Sequence, residues 1–288
     1  MVTAKLASVV EPVGAGLTRV WELDEVLLDT RTAYQHLVIA RTAQGVSLFC
    51  DDERQSTEAS QLVYHEALMV PPLLLADGRS RVLVVGSSEG VATQIAVAAG
   101  AFVDHVDIDT EAVRACAEHL PYGYSPAELA DVEAGTDTAR VWYRDGWSFL
   151  AETEHRYDLV VIDLPDENTD PAAQHNRLYS TDFLRRCASV LAPGGVVCCQ
   201  AGCPTLWRNE TLLALYRRFT EVFGTTVYFG SDEHEWAFLS GRPDALPDPV
   251  ATMTARLATL PYRPSSVDAE TLRGGTVPPY SVRHSGRA

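Results

Sequence analysis

Apolar positions along the chain fall into two textures, with the change near Gly78-Arg79. Upstream, short β-like runs lie over 18–23, 25–28, 35–40 and 46–50, and turn residues separate them. They predict a small antiparallel β-domain over residues 1–60. Residues 61–75 predict a helix bridging to the second part. There, apolar runs bounded by Gly, Pro and Asp alternate with helical stretches: strands at 81–85, 102–108, 140–143, 157–164 and 196–200, and helices at 91–99, 110–120, 147–153, 181–191 and 209–223. Ser180 is placed to cap one helix and Pro193-Gly194-Gly195 to end it. A final strand pair is predicted at 226–229 and 236–239. Strands alternating with helices imply a mostly parallel sheet with right-handed crossovers, and ligands in such sheets sit at the C-terminal strand ends.

Composition narrows the classes. The 288 residues carry 23 Lys+Arg against 39 Asp+Glu, a formal net charge of −16, which argues against nucleic acid or anionic lipid as partner and suits a cationic substrate. Residues 1–12 lack the long apolar core of a signal peptide, and the most apolar run, 67–76, is too short for a membrane span. Six cysteines at 50, 116, 187, 198, 199 and 203 show no zinc spacing and read as reduced core thiols, so a cytoplasmic location and no metal are expected.

The strand ends carry the chemistry. Gly86-Ser87-Ser88-Glu89-Gly90 follows the first central strand, where small residues let backbone amides approach a ligand. Asp107 ends the next strand at the distance expected of an acid that binds ribose hydroxyls, although a tight turn and a solvated carboxylate would leave the same pattern. Asp109 reads as the cap of the following helix. Asp145-Gly146 offers an acceptor for an exocyclic amine beside room for a flat ring, or a plain turn. The run 157–166 delivers Asp163 to a strand end and Asp166 three residues on, a pair able to neutralise a cation or take a proton from a nucleophile, unless Asp163 serves only as a turn residue.

This ordered set resembles the polyamine aminopropyltransferase (spermidine synthase) family. The resemblance rests on Tyr34-Gln35, Tyr64-His65-Glu66, Val84 to Gly90, Val106-Asp107-Ile108-Asp109, Asp145-Gly146, Tyr157-Asp158 through Asp163-Leu164-Pro165-Asp166, Leu178-Tyr179-Ser180 and Gln200-Ala201-Gly202. It implies an α/β fold, a Rossmann-like sheet of the class I methyltransferase type over residues 61–280 behind the N-terminal β-domain; residues 281–288 are expected to be disordered. It also implies that Gln35, Gly86, Asp107, Asp145 and Gly146 hold the nucleoside of decarboxylated S-adenosylmethionine. Asp163 would be the catalytic aspartate, and Tyr64, His65, Glu89 and Asp166 would bind the amine. No tightly bound cofactor is implied; the nucleoside is a co-substrate, a small-molecule amine such as putrescine accepts the aminopropyl group, methylthioadenosine leaves, and the protein is a homodimer or homotetramer.

Several positions depart from the family's usual wording. Ser87-Ser88-Glu89 stands where Gly-Gly-Asp is usual, Asp170 or Pro171 where a proline lines the nucleoside pocket, a charged loop over 230–235 where an aromatic-Pro-Ser-Gly sequence is common, and Glu58-Ala59-Ser60-Gln61 where Arg-Asp-Glu is common. They keep two other readings open. One is a methyl- or aminobutanoate-transferase using intact S-adenosylmethionine on a specialised acceptor; the other is a non-catalytic polyamine- or nucleoside-binding protein.

Overall fold

The computed structural model describes residues 7–14, 16–167 and 174–284. Positions 170 and 171, singled out above, and residues 1–6 and 285–288 lie outside these. The chain begins with an antiparallel hairpin, β1 (Ala7–Gly14) and β2 (Leu17–Leu23). A four-stranded antiparallel sheet follows in chain order: β3 (Glu25–Arg31), β4 (His36–Thr42), β5 (Gly45–Cys50) and β6 (Glu53–Thr57). Val9, Trp21 and Leu23 of the hairpin pack on Val38, Ala40 and Phe49 of this sheet. The hairpin also buries Glu11, which accepts a hydrogen bond from Trp21 Nε1 at 2.7 Å, so its charge is not orphaned.

Helix α1 (Gln61–Leu75) carries the chain into the second unit and continues through Pro71 and Pro72. Pro72 lacks the amide that would donate to the Leu68 carbonyl, and that carbonyl instead takes the Cys198 thiol at 3.4 Å. At the helix end the carbonyls of Leu75 and Ala76 accept guanidinium N–H groups from Arg242 and Arg256, both at 2.8 Å, which suits the negative end of the helix dipole.

Then come β7 (Arg81–Gly86), α2 (Val91–Ala98), β8 (Phe102–Asp107), α3 (Thr110–His119), α4 (Pro126–Ala134), β9 (Ala139–Tyr143), α5 (Gly146–Glu152) and β10 (Tyr157–Asp163). A 3₁₀ turn (Gln174–Tyr179) precedes α6 (Thr181–Ser189), β11 (Leu191–Gln200), α7 (Glu210–Val222), β12 (Thr225–Gly230), β13 (Ala237–Arg242), α8 (Pro249–Leu257), α9 (Ala269–Gly275) and α10 (Tyr280–Arg283). The central sheet has the order β12-β13-β11-β10-β7-β8-β9, in which β13 alone runs antiparallel to the other strands. Both its faces are buried. Along β7, Val82 and Val84 enter one core, and Leu83 and Val85 the other; Cys198 and Cys199 of β11 divide in the same way. All six cysteines are buried and free. No helix among the described residues is long and apolar enough to cross a membrane.

Two expectations change. The Pro-Gly-Gly expected to end helix α6 lies inside β11, which begins at Leu191 opposite Tyr157 of β10. The start of the expected disordered tail is ordered: α10 buries Val282, and Ser281 Oγ accepts from Asn209 Nδ2 at 3.1 Å.

Candidate functional site

The C-terminal ends of β7, β8, β9 and β10 meet the β-domain around a cleft of about 1110 Å³. Its floor is the turn after β7. Gly86 adopts φ +82°, and a Cβ there would stand 2.1 Å from the Asp163 carbonyl, so only glycine fits. The Ser87 amide donates to the same carbonyl at 3.0 Å, which clasps the turn to the end of β10. Ser87 itself holds φ 62°, a left-handed conformation uncommon for a residue with a side chain. Ser88 Oγ donates to Asp107 Oδ2 at 2.7 Å, and the Asp109 amide donates to Asp107 Oδ1 at 2.8 Å. Burial pushes the Asp107 carboxyl up to about 6 against the pull of those two bonds.

Asp109 is the cap expected of it, accepting from the Ala112 amide at 3.1 Å. Its other oxygen accepts from Thr32 Oγ1 at 2.6 Å and Gln35 Nε2 at 2.9 Å, so Gln35 is fixed beside the nucleoside-binding candidates by a contact between the two units. Asp145 caps α5 through the amide and hydroxyl of Ser148, both at 2.9 Å, and also accepts from Arg177 at 2.6 Å. Burial would raise its pKa, but the Ser148 donors and the Arg177 charge outweigh that and hold it below the ordinary value. At Gly146 a Cβ would meet Val85 Cγ1 at 2.7 Å, so glycine allows α5 to sit against β7.

Asp163 accepts from the Tyr64 hydroxyl at 2.6 Å. Burial drives its pKa up, Glu89 adds to the rise, and His65 and the Tyr64 bond oppose it. Glu89 is 8% exposed and lines the cleft. Asp166 also lines it, but Gln200 Nε2 donates to it at 2.5 Å and Arg208 stands 3.8 Å away, so this carboxylate already has a cation of the protein's own. The Tyr179 hydroxyl pins the turn between the two aspartates through the Leu164 and Pro165 carbonyls.

Of the ten residues the sequence singled out, nine line the cleft and His65 does not. His65 is buried behind Tyr64, and its Nδ1 donates to the Gln61 carbonyl at 2.7 Å. Neighbouring Glu66 is fully buried and accepts from Tyr262, Ser265 and Ser266, anchoring the C-terminal segment on α1.

The cleft also holds residues the sequence reading missed: Glu53, Arg54, Arg208 and Trp236. Burial pushes the Glu53 carboxyl up to about 7, and the Asp166 charge adds to it. Arg54, Gln55, Tyr64 and Trp236 form a wall shared with a second cavity of about 630 Å³. The alternation of buried positions in β6 was the available signal for Arg54, but those positions are polar.

Residues 61–229 match the family model described as the spermine/spermidine synthase domain. Similar curated proteins include polyamine aminopropyltransferase 1 of Pseudomonas aeruginosa, 32% identical over 196 residues, or 66% of this chain and 64% of that one. The polyamine aminopropyltransferase of Aeropyrum pernix is 30% identical over 234 residues, 78% of this chain and 71% of that one. The match spans 64% and 62% of two Pseudomonas relatives. Among solved structures, spermidine synthase from Thermotoga maritima superposes with a TM-score of 0.79 at 16% identity, covering 96% of this chain and 93% of that one. Spermidine synthase in complex with the transition state analogue AdoDATO gives 0.80 at 17% identity, with 96% and 94% covered. The fold is therefore shared over nearly the whole chain, and by the match of residues 61–229, which hold most of the sheet that carries the cleft, the chain belongs to the spermine/spermidine synthase family.

Proposed function

We propose that the protein transfers the aminopropyl group of decarboxylated S-adenosylmethionine to an amine, releasing methylthioadenosine. The observation that carries this reading is the meeting of Asp163, bonded to Tyr64 and of raised basicity, with a nucleoside-sized cleft whose floor is the Gly86 turn and Asp107. The donor's sulfonium makes its propyl carbon electrophilic, and an amine attacks it only when neutral and held in line. Alkyl amines are mostly protonated at neutral pH, like Lys at about 10.4. Asp163 receives that proton; Tyr64 orients it, and burial favours its protonated form. Asp107 and Asp145, with Gln35 behind them, hold the nucleoside, Gly86 and Gly146 give it room, and Glu89 meets the cationic arm. His65 packs edge-on against Tyr64 outside the cleft, so it supports Tyr64 rather than touching the amine.

A homodimer or homotetramer fits the same reading, supported by Val10, Leu17 and Val20 exposed along the β1–β2 hairpin. The six buried free thiols suit a reducing cytoplasm. Calorimetric titration with decarboxylated and intact S-adenosylmethionine, followed by mass-spectrometric assay with putrescine, tests the transfer. Tighter binding of the decarboxylated donor and a product heavier by one aminopropyl unit are expected. Preference for the intact donor would point to a different transferred group.

A further inference from the structure

The second cavity shares Arg54, Gln55, Tyr64 and Trp236 with the cleft, and the Tyr64 hydroxyl is bonded to Asp163, so it lies next to the place where the reacting amine is held. Its wall is furnished with arginine. Arg54 is 8% exposed, stacks over the Trp236 ring at 4.4 Å, and donates from Nη2 to Glu235 at 2.6 Å. Its Nε is buried and has no hydrogen-bond partner among the described residues, and neither has Gln61 Oε1 on the same wall. Arg19 grips the same Glu235 with both of its terminal nitrogens. The carboxylate best placed to hold a second ammonium is therefore taken up by two guanidinium groups; Glu233, the other acid on the wall, is exposed to solvent. His234 is held neutral, since burial lowers its pKa to about 4. On the cleft side Arg208 stands beside Asp166.

Within this cavity a polyamine's distal ammonium would face a buried cation and meet no unengaged buried acid, since Glu53 and Glu89 line the cleft instead. An oxygen there would complete the donor set of Arg54, and a guanidinium binds a carboxylate more strongly than it binds a neutral acceptor. We propose that this chamber holds the distal end of the acceptor and that Arg54 selects an amine ending in a carboxylate over one ending in a second ammonium. The inference rests on the transferase reading above and specifies its acceptor class.

The test uses the whole protein saturated with methylthioadenosine, the nucleoside product, and calorimetric titration with two probes of equal chain length, 4-aminobutanoate and 1,4-diaminobutane. The expected result is at least tenfold tighter binding of 4-aminobutanoate. That preference should fall about tenfold in Arg54→Gln, with methylthioadenosine affinity unchanged. Arg54 is buried, so Gln61→Glu, which places an acid on the same wall from the first turn of α1, provides an independent arm and should shift preference towards the diamine. Equal or tighter diamine binding by the native protein, or binding of neither probe, overturns the proposal while leaving the transferase reading intact. Failure of methylthioadenosine itself to bind would remove that reading and the proposal together.

Discussion

The two ends of the cleft are built in different ways. At the nucleoside end, many contacts that aim the acids are short-range in sequence: the Asp109 amide reaches Asp107 two residues away, and Ser148 reaches Asp145 three away. At the acceptor end, Tyr64 and Asp163 are 99 residues apart, Arg54 and Glu235 181, and Arg19 and Glu235 216. The first kind of site forms wherever its strand–turn–helix unit forms. The second exists only when the β-domain, α1 and the β12–β13 loop are docked together. Changes in the β1–β2 hairpin and β6 should therefore damage acceptor handling and leave nucleoside binding in place, whereas Gln35, which reaches Asp109 from the β-domain, belongs to the nucleoside end.

The strongest break falls where the two ends meet. Asp163→Asn keeps a bond partner for Tyr64 but cannot take the amine's proton, and proton transfer by a positioned group is worth about 10²–10⁴ in rate. Single-turnover assays should show a loss of about 10³, with methylthioadenosine affinity within about threefold of the native protein. An equal loss of nucleoside affinity would show that Asp163 belongs to the local end.

Gly86→Ala tests the clasp between the turn and β10. The added Cβ would stand 2.1 Å from a backbone oxygen, where nothing flexible can yield, at φ +82°. Urea unfolding should show a stability loss of about 3 kcal/mol, in the range of overpacking and left-handed strain combined. Gly146→Ala meets only a valine methyl and should lose less, about 1–2 kcal/mol.

Asp107→Asn separates binding from stability. With burial raising its carboxyl from 3.8 to about 6, the folded state holds this proton more tightly than the unfolded chain does. Folding is therefore progressively penalised as pH rises from about 4 through about 6, and the penalty stays above that window. Measured by urea unfolding without nucleoside, the amide variant should gain on the native protein across this interval and remain ahead at pH 8. Its nucleoside affinity should fall about tenfold. A stability difference that does not vary with pH would mean that Asp107 is ionised as easily in the fold as outside it.

The same division governs what was legible in the sequence. The strand ends announced Gly86, Asp107, Asp145 and Asp163 because each sits at the end of an apolar run that forms one strand of a sheet buried on both faces. Strand β6 was not legible, since its inward positions are Arg54, Ser56 and Thr57, polar residues facing a cavity and neighbouring polar groups. Strand β1 hid behind Glu11 and Pro12, one satisfied by Trp21 across the hairpin. Helix α4 was legible and overlooked: Ser125 and Glu128 form a reciprocal cap at its start. The Arg54–Glu235 and Arg208–Asp166 pairs had no sequence signal, because nothing short of the fold brings their elements together.

Arg19→Ala is the mildest test of the comparison and the most specific to it. Arg19 lies on β2 of the hairpin, is one-third exposed, and reaches across to Glu235 on the loop before β13 and to Glu11 on its own hairpin. An exposed pair of this kind contributes less than about 1 kcal/mol, so the melting temperature should move by only a few degrees. The variant leaves Glu235 held by Arg54 alone, and so more able to attract an ammonium. The preference for 4-aminobutanoate over 1,4-diaminobutane should narrow about threefold by calorimetry, while methylthioadenosine affinity stays constant. A matching fall in nucleoside affinity would show that the hairpin communicates with the strand ends and that the two ends are one cooperative site.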